Sequence, residues 1–500
     1  MTMEPWIYES LVLALIGASG VGVGTLLGWR HPVLLAAMAV LVSTAIRVVT
    51  ALVTWSWGTF PLLAEAWWVA SGVAALAGVA VAIWRRNPAY LRALGIFVGL
   101  GVASIAMKYL FQVGERHHRD STGVMESALL IFQNELDPQV WQPNEKRGLA
   151  YPLMLALGPD SRMLSSVTPL IFFSLLLLSW WLAREILRDR VPVRWQIASG
   201  AIVLVFSLTV PIFTVAVTYI NSHTLVALGL TAMMAASITS DRDGFFGTSA
   251  ASMAAIGSLV TVTARVEGIV FALVVLALIT SRPIFDGMRS RVAVGTVTVF
   301  TGLPLAWWLL IIQSDVPDRF GVTLWLLVLL TIAGASLVAT PLVNKIRWIF
   351  FPLVSWAIAV GIAVVVASAN NPLTPFASQF NNVVRGYGGW GVAALALMAS
   401  LVLLGWKTRS FEYRQLVKLL VVLIFATLFA KLFDGEGFGG GFGRDGFYDS
   451  VNRMWLHTLG IAMTAMIVGF AEFMRDVSER RQERGNVAGA PLHFNNNQLR

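Results

Sequence analysis

Apolar residues in this 500-residue chain come in long unbroken runs, without the two-residue alternation of a half-buried strand or the narrow stripe of a water-facing helix. A hydrocarbon layer about 30 Å thick is crossed by roughly 20 apolar residues in a helix. Runs of that length follow one another at 6–29, 32–54, 61–84, 90–112, 166–187, 196–213, 217–239, 246–263, 265–281, 291–313, 321–341, 348–368, 389–406, 415–433 and 455–474. The pattern predicts an all-α fold, a polytopic bundle of about fifteen transmembrane helices with external juxtamembrane helices. Polar connections are short except at 113–165, 369–388 and 434–454, with a lesser one near 313–320. Long connections in an economical bundle carry function more often than not.

Composition agrees, with 57% hydrophobic and 13% charged residues and a mean hydropathy of +0.73. Soluble domains carry roughly 25% charge. The formal charge of +9 comes from Lys and Arg scattered between apolar runs, without the basic face that nucleic acid needs, so nucleic-acid binding is excluded. With no cysteine there is no disulfide, thiol nucleophile or thiolate metal ligand. The first run lacks a basic leader and a small-residue cleavage signal, so it reads as a retained helix.

Charge then orients the bundle. Arg85, Arg86 and Arg92, then Arg184, Arg188, Arg190 and Arg194, then Arg282, Arg289 and Arg291, then Lys345 and Arg347, and finally Lys407, Arg409 and Arg414 fall on one side. By the positive-inside rule that side is cytoplasmic, the N-terminus is outside and the long connections are external. Four segments follow: helices at 1–89, a core at 90–285 with the first external loop 113–165, helices at 286–475 with loops 369–388 and 434–454, and a cytoplasmic polar tail at 476–500, expected to be partly disordered.

Titratable groups gather where these external segments meet hydrocarbon. Glu115, His117, His118 and Asp120 follow the fourth run directly; they suit a solvated loop anchor or a binding edge. Val124, Met125, Ala128, Leu129 and Phe132 then recur at helical spacing, predicting an amphipathic interfacial helix that holds Asp120 at the depth of a lipid phosphate. Adjacent histidines point apart and no His-x-x-x-His spacing exists, so no metal or other cofactor is expected. The glycine-rich stretch Gly435–Gly446 lacks the strand and Lys-Ser/Thr of a phosphate loop and reads as an external flap. It carries Arg444 and leads through Asp449 to Arg453 at the mouth of the last run, where a guanidinium can snorkel or grip a phosphate. Pro211 and Tyr219–His223 mark another external junction, and Thr263–Gly268 places Arg265 and Glu267 at a third. Arg47 and Glu65, at similar depth in neighbouring runs, suit a structural ion pair, and Trp67-Trp68, Trp180-Trp181 and Trp307-Trp308 suit interfacial packing.

These pieces, in this order and on this side, resemble the GT-C superfamily of membrane glycosyltransferases, especially the branch with protein O-mannosyltransferases and lipid A aminoarabinose transferase. The resembling parts are Asp120 with its juxtamembrane helix, the Tyr-Pro end of the first external loop in Arg147–Leu153, the Arg-x-Glu-Gly turn at Arg265–Gly268, and Asn452-Arg453-Met454 before the last span. The likeness covers roughly residues 90–285 well. Ser121 stands for the branch's second acidic residue, Val124 for its tyrosine, and Ser222-His223 where a Glu is frequent.

The resemblance implies an inverting transfer of sugar from a polyprenyl phosphate to an acceptor hydroxyl on a glycan, glycolipid or protein, at the external face of a bacterial plasma membrane. Asp120 would be the general base, Arg453 and Arg265 would hold the donor phosphate with Arg444 and Lys431 as further candidates, and Glu115, His118, Arg147, Tyr151, His223, Glu267 and Asp449 would contact substrates. A flippase or transporter of lipid-linked oligosaccharide, a polysaccharide polymerase or ligase, and a non-catalytic scaffold are the competing readings. A transporter would place its ionisable residues near the bilayer midplane in repeated halves.

Overall fold

The computed structural model describes residues 4–57, 59–113, 119–133, 148–158, 164–218, 220, 222–243, 246–265, 268–281, 287–312, 329, 331, 333–336, 340, 342–368, 380–387, 389–391, 411–430 and 455–488. Among these residues every element is helical. They are α1 (Pro5–Leu26), α2 (Pro32–Ser56), a 3₁₀ turn (Phe60–Leu62), α3 (Leu63–Trp84), α4 (Pro88–Phe111), α5 (Arg119–Phe132), α6 (Ala150–Leu155), α7 (Val167–Leu187), α8 (Val193–Thr209) and α9 (Pro211–Thr218). They continue with α10 (His223–Asp243), α11 (Thr248–Ala264), α12 (Gly268–Thr280), α13 (Met288–Ile312), α14 (Val343–Ser368), a π turn (Phe380–Val384), α15 (Phe411–Ala430), a 3₁₀ turn (Trp455–Thr458) and α16 (Leu459–Ala488).

Proline sets several of the starts. Pro5, Pro32, Pro88 and Pro211 open their helices, where a missing N–H costs nothing and the fixed φ suits the first turn. Ahead of Pro88 the Asn87 side chain also accepts the Ala89 N–H. Pro211 ends α8 as well, since the preceding Val210 leaves the helical region at φ −83°, ψ 126°. The runs 196–213 and 217–239 therefore meet through the short α9, and the later helix begins at His223.

Among the described residues seven helices are long and apolar enough to cross a membrane: Pro5–Leu26, Pro32–Trp55, Phe60–Trp84, Pro88–Phe111, Val167–Leu187, His223–Ser240 and Trp455–Gln482. The apolar helices at Val193–Thr209, Thr248–Ala264, Gly268–Thr280 and Trp348–Ala363 are shorter. The expected runs 321–341 and 389–406 fall mostly outside the described residues. The polar end differs from expectation too, because α16 continues past Arg475 to Ala488. Its Ser, Glu, Arg and Gln residues are tolerated in helices, and Arg475 pairs with Glu479 one turn on, at 3.7 Å.

Close approach of backbones holds the bundle together. α1 packs on α2 and α3, α2 on α4, α7 and α11, and α10 on α7, α11 and α16. A Cβ added to Gly78 in α3 would run into the backbone of Gly22 in α1, and one added to Gly20 would meet the backbone of Ala39 in α2. Lipid is as apolar as leucine, so association in a bilayer relies on such contacts and on polar bonds between helices. Ser179 of α7 donates to the Gly460 carbonyl of α16 at 3.1 Å, and the Ser258 and Thr301 hydroxyls join α11 to α13.

The polar links sort to two ends of the bundle. At one end, called basic here, Arg85 donates to the Thr25 carbonyl, Trp29 to the Ser249 carbonyl and Ser252, and Arg475 to the Arg190 carbonyl. At the far end lie the starts of α1, α7, α10, α12 and α16 and the ends of α2, α4 and α11. If backbone contact holds α1 to α3, Gly78→Ala lowers the thermal stability of the solubilised chain, at a cost of about 1–3 kcal/mol. Gly72→Ala, with open space beside it, leaves stability unchanged or slightly raised; equal effects of the two would rule out the contact.

Candidate functional site

The far end gathers the described candidates. α11 stops at Ala264, Arg265 takes an extended conformation at φ −155°, ψ 145°, and α12 begins at Gly268. This break points the half-buried Arg265 toward the start of α10, and its Nη1 lies 3.5 Å from Ser222 Oγ. The next residue, His223, places Nδ1 2.8 Å from Nε2 of His457, so one ring N–H donates to the other ring. The two imidazoles are 4.8 Å apart, and Phe271 of α12 meets His457 edge-on, also at 4.8 Å. His457 is fully buried, and among the described residues its second nitrogen, Nδ1, has no hydrogen-bond partner.

A second group adjoins the first. Gly148, at φ +39°, presses on the backbone of Thr263 and Ala264 so closely that no side chain fits. The end of the first long connection thereby touches the residue before Arg265. From there the chain turns into α6, where Tyr151 is fully buried and shares a 2.6 Å hydrogen bond with Thr168 at the start of α7. α5, which contains Asp120, packs on α6. Its buried face is Val124, Ser127, Ala128 and Ile131, whereas Glu126 and Phe132 are exposed, so the helix is amphipathic as expected with Phe132 off the apolar face.

Three ionisable residues complete this end. Glu9 in α1 is buried, accepts a hydrogen bond from Ser166 at 2.5 Å and pairs with Lys108 of α4 at 2.7 Å. Arg47 of α2, 2% exposed, donates to the Leu63 carbonyl at 2.9 Å and to the Leu153 carbonyl at 3.4 Å, and lies 5.8 Å from the Trp67 ring centre. The expected Arg47–Glu65 ion pair does not form, because Arg47 turns inward to carbonyl groups while Glu65 faces out of the bundle.

Of the candidates from sequence, Arg265, His223 and Tyr151 meet at this end, and Asp120 lies on the helix packed beneath it. Tyr151 and His223 have inward, buried side chains that brace the end from below. Arg453, Arg444, Lys431, Glu115, His118, Arg147, Glu267 and Asp449 lie outside the described residues. Among the described residues no three His, Asp or Glu side chains could hold a metal. Sequence reasoning passed over His457, Glu9 and Lys108; ionisable residues one or two turns inside apolar runs were the available signal for the last two. No protein-family model matches the chain, and neither the curated proteins nor the solved structures yield a match.

Replacing His457 by Phe keeps a ring but removes its hydrogen bond with the buried His223. The variant should lose about 1–3 kcal/mol in thermal unfolding of the solubilised chain. Wild-type stability would mean that the imidazole pair contributes nothing.

Proposed function

We propose that this chain is a membrane glycosyltransferase that moves a sugar from a polyprenyl phosphate to an acceptor hydroxyl at the far end of the bundle. The observation that supports it most is the contact of Gly148 with Thr263 and Ala264, which joins the first long loop to the Arg265 turn beside His223 and His457. In this reading about fifteen spans cross a bacterial plasma membrane, the basic end is cytoplasmic, and the far end is external. The described acid–base pair, Glu9 with Lys108, sits near helix ends, as an outer-face site requires and a midplane transport site does not.

The proposed chemistry is a single displacement. The acceptor oxygen forms a bond to the anomeric carbon as the bond from that carbon to the phosphate oxygen breaks, inverting the centre. The acceptor proton passes to the Asp120 carboxylate, and the electron pair leaves with the polyprenyl phosphate. Cations spread around that oxyanion stabilise the developing charge. Arg265 would approach it from the α11–α12 break and Arg453 from the mouth of the last helix, with Arg444 in the loop before it and Lys431 at the end of the run before that loop. Glu115, His118, Arg147, Glu267 and Asp449 would contact substrates.

Transfer from radiolabelled polyprenyl-phosphate sugars, measured with the full chain in proteoliposomes, tests this reading. Asp120→Asn should lower turnover roughly 10²–10⁴-fold in a folded protein, and near-normal turnover would remove Asp120 as the base. Arg453→Ala should weaken donor binding about tenfold, the equivalent of one charged hydrogen bond. Unchanged donor affinity would reject the phosphate role.

A further inference from the structure

The one-turn helix α6 lies beneath the candidate site, between the first long loop and α7, and it is too short to hold itself in place. The last four carbonyls of a helix have no partner within it. In α6 the Pro152, Met154 and Leu155 carbonyls receive backbone N–H groups, from Ala156, Leu157 and Leu164 respectively. The remaining carbonyl, of Leu153, receives the guanidinium of Arg47. A cation inside an apolar helix is expensive, and here it is offset by two carbonyl groups and the face of Trp67 rather than by a carboxylate.

The other edge of the same segment is held in a similar way. Ser166, the residue before α7, donates to Glu9, whose second oxygen pairs with Lys108. Just outside these two attachments Tyr151 bonds Thr168, and ahead of them Gly148 rests on Ala264. Residues 148–158 and 164–168 are thus held from the N-terminal helices at two points, Leu153 and Ser166.

We infer that Arg47 and Glu9 are positioning residues, through which α1 and α2 hold α6 and, packed on it, the helix that bears Asp120. The N-terminal helices are then a working part of the site and not an accessory to the core. The consequence for turnover rests on the glycosyltransferase reading, while the placement of α5 does not.

Because the chain has no cysteine, pairs of spin labels can be introduced without background. A label at Phe132→Cys in α5 and one at Trp84→Cys at the basic end of α3, both exposed, report where α5 stands relative to the bundle. A pair at Leu208→Cys in α8, a helix that takes part in neither attachment, and Trp84→Cys reports on the bundle itself. In the full chain in nanodiscs, Arg47→Met should lose the single narrow distance of the first pair and keep that of the second. Arg47→Lys should restore it in part, since an ammonium reaches one carbonyl but lacks the fork for two. Glu9→Gln should loosen the first pair in the same way, and it carries the test if Arg47→Met does not fold. In transfer assays Arg47→Lys should lower kcat while leaving the donor KM unchanged. A narrow first distance retained in Arg47→Lys, Arg47→Met and Glu9→Gln would overturn the inference, whatever the activity. Wild-type protein that transfers no sugar would instead overturn the reading of function, and the distances would still decide the role of Arg47 and Glu9.

Discussion

The structure depends on one constraint: in hydrocarbon there is no water to complete a polar group, so each must find its partner in the protein. Most do so locally. Thr44, Thr231, Ser240 and Thr263 bond the carbonyl one turn back, and their hydroxyls cost little. The few that reach across helices define the architecture. Glu9 is satisfied by α4 and by the residue before α7, Arg47 by α3 and α6, and His223 by the start of α16. These three lie at the far end of the bundle, while Arg85, Trp29 and Arg475 link helices at the basic end.

That concentration has a mechanical side. Along the helices, contact is close and featureless, set by glycine and alanine meeting backbone, as at Gly22 with Gly78 and Gly229 with Gly257. Such surfaces fix separation but tolerate sliding. Directional bonds at the far end stop the slide, because the His223–His457 and Glu9–Lys108 contacts are satisfied in one register only.

The helices were legible in the sequence because their signals are local. Run length set α1 to α4 and α7, whose starts fall within a residue or two of the expected runs. The breaks at Val210-Pro211 and at Arg265 were legible for the same reason. Partnerships were not. His223 and His457 are 234 residues apart, and nothing in the chain near either one names the other. Arg47 and Glu65 show the opposite failure, since matching depth in adjacent helices suggested a pair while the side chains face different ways. Depth can be read from a sequence, but rotation about the helix axis is decided by neighbours. The extension of α16 past Arg475 was missed because polarity alone does not end a helix when its residues favour one.

The Glu9 contact also constrains how the protein is made. Lys108 lies 99 residues later in the chain and Ser166 lies 157 residues later. At ordinary rates of synthesis, Lys108 follows Glu9 from the ribosome after roughly 5–20 s. For that interval the first helix carries an acid without its cation, in or beside the membrane. Until α4 arrives it must stay shielded by the insertion machinery or sit shallow at the interface. The first helix therefore gains the cation its buried carboxylate is paired with only when α4 has joined it.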